Sequence, residues 1–440
     1  MFLLRPRSSK SVTTPIYKIH QFISYNVSTL PNPSAVTVPY PIPRDPSLSP
    51  VPPYEEHMTS TGWFASHIHA GVMMLIKLSN LDAAANHARF TVSARSSPSS
   101  TRTCDALIGA MCRAGRYKDA LNYFHYFFNE SNLKPNISCC NHIIGALCHQ
   151  GQVDEAIRFY NHLLVVNSAS TPPNEETYNL LAKGLVDAGK IKEAEDFAIG
   201  VMSSDQLSPL VFNHLIRGFL AQGKFETAME VFKDAQQRLG ASPIDDEVSD
   251  LIHFLIDEDY NGIAMMNATF IEYWFKQGND KEAIKCYKSL LDKNFVMNAV
   301  TGNTLLRILL DYGKKLEAKE LFDQMVEKNA ETCYILVDDC FKNSMINEAV
   351  DYFRGFGTTI NGSQLCYRNI INRFCEQGML SEAESFFEEM RSKQFIVPDI
   401  PTYRLLLDAY ANTGRFDDAE RMVNLTVDAN IKCIAKFRLI

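Results

Sequence analysis

The chain contains no Cys-x-x-Cys, no His-x-Glu, no His-Glu-x-x-His and no Gly-x-Ser-x-Gly anywhere in its 440 residues. Those absences exclude zinc deaminases, zincin proteases and nucleophile-elbow hydrolases, and the lack of a Gly-x-x-x-x-Gly-Lys-[Ser/Thr] loop excludes P-loop nucleotide chemistry. The eleven histidines show no ligand spacing. No enzyme, metal or cofactor is expected. No apolar run reaches membrane-spanning length, and the best candidate, around Val72 to Leu75, is broken by Lys77. An excess of positive charge is also missing: the formal net charge is -8, so neither a membrane surface nor DNA is an expected partner. The eleven cysteines are odd in number and scattered, and Cys112, Cys148 and Cys375 each fall on a helical core position. Buried free thiols are expected there, not disulfides or zinc.

Acids are absent from residues 1–44, which carry Arg5, Arg7, Lys10, Lys18 and Arg44 among many Ser and Thr. That composition predicts an organelle transit peptide over residues 1–30, the alternative being a basic disordered tail. Arginines near the start favour a mitochondrion over a chloroplast. From Pro31 to Pro53 nine prolines fall in 23 residues, which predicts an extended linker over 31–64.

Beyond the linker the chain is periodic. Taking one small residue per unit as a ruler gives Ala84, Ala120, Ala156, Ala194, Ala228, Ala283, Ala318, Ala349, Ala383 and Ala419. The intervals are 36, 36, 38, 34, 55, 35, 31, 34 and 36 residues. Five residues before each alanine stands a glycine, with Ser79 and Ser344 as the two exceptions. The stretch Glu175 to Ala198 shows the unit at its cleanest. Leu180, Leu181, Leu185 and Val186 share one helical face, Gly189 ends the helix, and Glu193 and Ala194 open a second. Ten such hairpins predict an all-α fold, a right-handed α-solenoid of helix-turn-helix repeats over residues 65–434.

Two irregularities stand out. The 55-residue interval holds an acidic insertion near 244–263, which suits either an extra amphipathic helix (Val248, Leu251, Ile252, Leu255) or a solvated loop. Residues 435–440 read as the start of a further repeat, and their apolar ending without a polar capping helix suits a truncated product or a dependence on a partner.

The units resemble the pentatricopeptide repeat more closely than the tetratricopeptide repeat, whose Trp-x-x-Leu-Gly signature is absent. The likeness rests on Thr177-Tyr178-Asn179, on Leu147-Cys148, and on Ala114-Gly115 and Ala188-Gly189. It rests also on Pro135-Asn136, Pro173-Asn174 and Pro398-Asp399 closing a unit. Members of that family are mostly imported into plant organelles, and each repeat can read one base of single-stranded RNA. The resemblance implies that the residue after Thr-Tyr works with the last residue of the unit. The matching pairs are Asn141 with Asn174, Asn179 with Ser208, Asn213 with a residue near Asp245, and Asn303 with Asn329. Asp105 with Asn136 is off-pattern, and Ala268, Tyr334, Arg368 and Arg404 fit no reading combination. An asparagine suits the task because it offers a base edge both a donor and an acceptor. The alternative for each is an ordinary polar residue near a helix start.

The resemblance also implies an apolar side chain at the second position of each unit, sandwiching the base. Leu210, Met265, Val300 and Leu365 conform, whereas Arg102, Glu176 and Glu331 do not. Phosphate contacts are implied two residues before the turn glycine, where Arg113, Lys276 and Lys342 are basic but Asp187, Asp311 and Glu376 are acidic. Organelle RNA metabolism (editing, splicing or transcript stabilisation) by direct RNA binding is therefore expected. The alternative is an adaptor that binds other organelle RNA-processing proteins and has little contact with RNA.

Overall fold

The computed structural model describes residues 39–42, 65–94, 98–131, 133–166, 172–201, 208–239, 250–292, 295–357, 364–393 and 396–438. The transit-peptide expectation (1–30) and all of the linker expectation except 39–42 lie outside them, as do Asp245 and residues 244–249 of the insertion.

All regular structure among the described residues is helical. The described residues fall into two compact units, one holding those up to 69 and from 88 to 273, the other those from 70 to 87 and from 274 to 438. In the first unit lie α1 (Ala65–Lys77) to His69, α3 (Pro98–Arg113), α4 (Tyr117–Phe124), α5 (Ile137–His149), α6 (Val153–Val166) and α7 (Glu175–Asp187). It continues with α8 (Ile191–Val201), α9 (Pro209–Ala221), α10 (Phe225–Leu239) and α11 (Asp250–Lys276) to Tyr273; α2 (Leu81–Ala88) falls in the second unit except for its last residue. The second unit contains α12 (Asp280–Leu291), α13 (Ala299–Asp311), α14 (Lys315–Gln324), α15 (Ala330–Lys342), α16 (Ile346–Gly357) and α17 (Gln364–Glu376). It ends with α18 (Leu380–Ser392), α19 (Ile400–Asn412) and α20 (Phe416–Arg438). Within the units α3 packs on α4, α5 on α6, α7 on α8, α9 on α10, α13 on α14, α15 on α16, α17 on α18 and α19 on α20, and the first helices of successive hairpins stack on one another, α5 on α7 on α9 and α15 on α17 on α19. This is the α-solenoid expected from the repeats.

The ruler residues explain why the hairpins close. All ten turns carry a residue at positive φ, the eight glycines between 70° and 74°, Ser79 at 56° and Ser344 at 60°. At Gly189 the amide bonds back to the Val186 carbonyl (2.9 Å) and the Lys190 amide to the Leu185 carbonyl (2.9 Å). These two bonds satisfy carbonyls that the helix end would otherwise leave open. Past each turn the alanine is buried in nine of the ten hairpins, so the second helix can approach the first closely; only Ala419 is half-exposed. Ser344 supplies a test. A left-handed residue with a side chain costs about 1–2 kcal/mol, so Ser344→Gly is expected to raise stability by about 0.5–1 kcal/mol after the entropy glycine adds to the unfolded chain. Urea denaturation reads this as a higher midpoint; a lower one contradicts the turn assignment.

The irregular intervals have plain structural causes. In the 55-residue interval, residues 250–263 form no separate helix; they extend the first helix of the next hairpin toward its N-terminus, giving the 27-residue α11. In the 31-residue interval, α14 stops after ten residues because Met325 turns extended (ψ 119°) and lays its side chain against Gly302. At the other end α20 runs to Arg438, so residues 435–438 continue the last hairpin's second helix and do not open a new one. No helix among the described residues is long and apolar enough to cross a membrane.

Candidate nucleic-acid interface

The residues expected to read bases belong to one recurring arrangement at the starts of the first helices. Asn174, Ser208 and Asn329 are the N-caps of α7, α9 and α15. Their side chains accept from the amides of Thr177 (3.1 Å), Leu210 (3.2 Å) and Thr332 (3.1 Å), which meets a need of every helix N-terminus. Asn174 and Asn329 form capping boxes, since Thr177 and Thr332 return a bond to the cap's own amide.

Asn141 and Asn303 are buried under these caps. Asn141 donates through Nδ2 to Asn174 (3.0 Å) and to Glu176 (2.9 Å), and its Oδ1 accepts from the Thr177 hydroxyl (2.7 Å). Asn303 repeats the scheme, donating to Asn329 (3.0 Å) and accepting from Thr332 (2.7 Å). Two expected readers are thus latches between neighbouring repeats, with their amides already engaged. Of the four expected pairs, Asn141 with Asn174 and Asn303 with Asn329 touch, and they bond to each other. The off-pattern pairs are latches as well: Asn136 donates to Asp105 (3.2 Å) and Arg368 to the cap Asp399 (2.7 Å). Asn213 accepts from Thr269 (2.7 Å).

Asn179 differs, and the next repeat explains why. Its Oδ1 is buried with no hydrogen-bond partner among the described residues. In the Asn141 and Asn303 latches the hydroxyl donor is the threonine three residues after the following cap; after Ser208 that place holds Val211, which cannot donate. Asn179 lines a surface pocket of about 400 Å³ between α7 and α9, together with Asn174, Glu175, Glu176, Leu180, Lys183, Leu210 and His214. The Nδ1 of His214 is likewise buried and unpartnered. Burial, with help from Arg217 and Lys183, pulls the His214 pKa down to about 4, so the imidazole is neutral at physiological pH. Leu210 contributes an apolar side chain to the lining and Glu176 an acidic one. The pocket is therefore lined by an asparagine, a neutral imidazole, an apolar side chain and an ammonium.

Lys183 and His214 are not singled out by the repeat pattern. The spacing does hold a signal for Lys183, one turn after Asn179 on the same helix face. The second-position row conforms in part: Leu210, Val300 and Leu365 are 37%, 61% and 56% exposed, large values for apolar side chains in a packed array. Met265 is half-buried, and the exposed Glu331 binds Arg307 (3.0 Å).

The phosphate row is changed by its neighbours. Arg113 and Lys276 are exposed at the ends of α3 and α11. Lys342 is exposed but tied to Asp338 at 2.9 Å. The acids are partly neutralised: Asp187 binds Arg217 (2.6 Å) and Glu376 binds Arg373 (2.7 Å). These exposed pairs contribute little to stability, about 0–1 kcal/mol each, but they do remove net charge from the row. No group of three or more His, Cys, Asp or Glu among the described residues is placed to hold a metal.

An array of helical hairpins with left-handed turns, capped first helices and side-chain latches between repeats defines an α-solenoid repeat protein. Models of the PPR repeat family match residues 135–187 and 363–412, and PPR repeat models match 102–127, 210–238, 301–329 and 401–431. A mitochondrial pentatricopeptide repeat-containing protein of Arabidopsis thaliana is 36% identical over 391 residues, covering 86% of this chain and 93% of that protein. The chain belongs to the pentatricopeptide repeat family. Small ribosomal subunit protein mL103 of Arabidopsis thaliana is 24% identical over 229 residues, covering 50% of this chain and 54% of that one. Among solved structures, the pentatricopeptide repeat protein PPR10 in complex with an 18-nucleotide psaJ RNA element aligns with a TM-score of 0.37 at 18% identity. That alignment covers 84% of this chain and 54% of PPR10, so the chain spans about half of that protein's length.

Proposed function

We propose that the protein binds single-stranded RNA in organelle RNA metabolism, with the α7–α9 pocket as its principal base site and no catalytic activity of its own. The observation that carries this reading is the unpaired Asn179 Oδ1 beside Leu210, Lys183 and His214. A buried acceptor left without a partner costs about 1–3 kcal/mol, and rotation of the Asn179 side chain into the pocket it lines would let the exocyclic amino group of a base satisfy it. Leu210 supplies an apolar face for the ring, and Lys183 a cation for the adjoining phosphate. The acid-free start of the chain and the mitochondrial relative support action in a mitochondrion, a chloroplast being the alternative.

A second reading, an adaptor among organelle RNA-processing proteins, is favoured by the closed latches at Asn141 and Asn303 and by the net charge of -8. Titration of the full-length protein against pooled plant mitochondrial transcripts at physiological salt separates the two. Saturable, sequence-selective binding that weakens as salt rises supports RNA recognition. Binding no tighter than to an unrelated RNA pool overturns it.

A further inference from the structure

The proline-rich stretch before the repeats has the composition of a linker, yet four of its residues are built into the first unit. Tyr40 lies with its ring edge-on to Phe124 (5.5 Å between centroids) and close to Phe159 (5.8 Å) and His162 (5.3 Å). Its backbone is clamped at both ends by one side chain. The Tyr40 amide donates to Asn129 Oδ1 (2.8 Å), and Asn129 Nδ2 donates to the Tyr40 carbonyl (3.1 Å). The Ile42 amide turns back to the same carbonyl (2.8 Å), and the Ile42 side chain is buried.

Two further features show that this seat is built. Asn129 lies in a six-residue π-helical segment, His125–Glu130, that continues α4. Such a widened turn is uncommon and tends to mark functional positions. On the other side, Tyr40 and Ile42 each precede a proline, Pro41 and Pro43. A residue before proline is already held near the extended conformation, so docking costs less entropy. Phe124 and Phe159, fully buried, form the floor of the seat.

We propose that Pro39–Ile42 is a strap belonging to the folded protein, retained in its mature form, so that removal of the leader occurs upstream of Pro39. In that step a processing peptidase adds water across one peptide bond, leaving a carboxylate on the released leader and a free amine on the mature chain. The inference rests on the leader reading of the first 30 residues for its processing half only. Cleavage after Ile42 would strip the cover from Phe124 and Phe159 and leave the Asn129 amide without its partner.

Two measurements on the full chain decide it. After import into isolated plant mitochondria, mass spectrometry of the mature N-terminus is expected to find a first residue at or before Pro39. A mature chain beginning after Ile42 overturns the strap. Independently, hydrogen exchange of the purified full chain reads the strap directly, because Tyr40 and Ile42 carry the only amide hydrogens within 39–42. Both are expected to exchange at least about tenfold more slowly than in a synthetic peptide of residues 36–46, and Asn129→Ala should remove the protection at Tyr40. Exchange at the free-peptide rate in the wild-type chain overturns the strap whatever the variant does. A chain that is imported nowhere and never cleaved overturns the leader reading instead, and the exchange rates then decide the strap alone.

Discussion

Gly184→Ala is expected to destabilise the first unit by about 2–3 kcal/mol, although alanine is the better helix former by about 1 kcal/mol. Gly184 lies on α7 where that helix crosses the end of α5. An added Cβ would stand 2.4 Å from the Cys148 sulfur, 3.0 Å from the Cys148 Cβ and 3.5 Å from a Val153 methyl. The Cβ distance matters most, because that atom is fixed to the backbone and cannot rotate away. Relief requires the two helices to part, which loosens the apolar contacts of Leu181, Leu185 and Val186 with their neighbours. Gly355→Ala is the control. That glycine is exposed on α16, and a Cβ added there would meet nothing within 4 Å, so the same substitution should gain about 0.5–1 kcal/mol. Urea unfolding of both variants checks the pair; equal gains would show that the close approach at Gly184 does not exist.

Asn141→Ala is expected to cost a similar amount, about 2–3 kcal/mol, by a different route. The truncation removes three hydrogen bonds at once and leaves the Thr177 hydroxyl, buried, without its acceptor across the repeat interface. Thr177→Val should cost a comparable amount, because it breaks the bond to Asn141 together with both hydroxyl bonds of the capping box with Asn174 (2.9 and 3.1 Å). Since the residues share one network, the double variant should fall short of the sum of the singles. Additive losses measured by urea unfolding would mean that the latch is not a coupled unit.

Much of this architecture is legible in the residues themselves. The turn glycines and small alanines are spaced by the hairpin, and each carries a local physical requirement, a positive φ in one case and a close helix crossing in the other. Ser79 and Ser344 hold their places in the ruler and adopt the same left-handed turn. The insertion is harder to read, because the acidic run near 244–263 has no terminator between it and the next hairpin. Its helical part simply propagates into α11.

The site is less legible, for a reason of geometry. Asn141 and Asn179 stand at equivalent places in consecutive repeats and look alike in the chain. What separates them is the residue three positions after the next cap, Thr177 for the first and Val211 for the second. The fate of each asparagine is thus decided more than thirty residues away, across a repeat boundary that reading one unit at a time does not cross. The same holds for charge. Asp187 looks hostile to a phosphate until Arg217 of the following repeat is seen to cover it. The strap at Tyr40 is hidden because prolines advertise an extended chain, not what that chain rests upon.

The central claim is that Asn179 is the open reader and Asn141 a structural latch. It is tested most directly by measuring both affinity and stability for the two alanine variants against the RNA that the wild-type protein selects. Asn179→Ala should weaken binding about tenfold, the worth of one hydrogen bond to a base, with an unfolding midpoint no lower than wild type, because the variant loses a buried acceptor that has no partner. Asn141→Ala should unfold earlier, while its folded fraction binds as the wild type does. An Asn179→Ala protein that binds RNA at wild-type affinity would contradict the account.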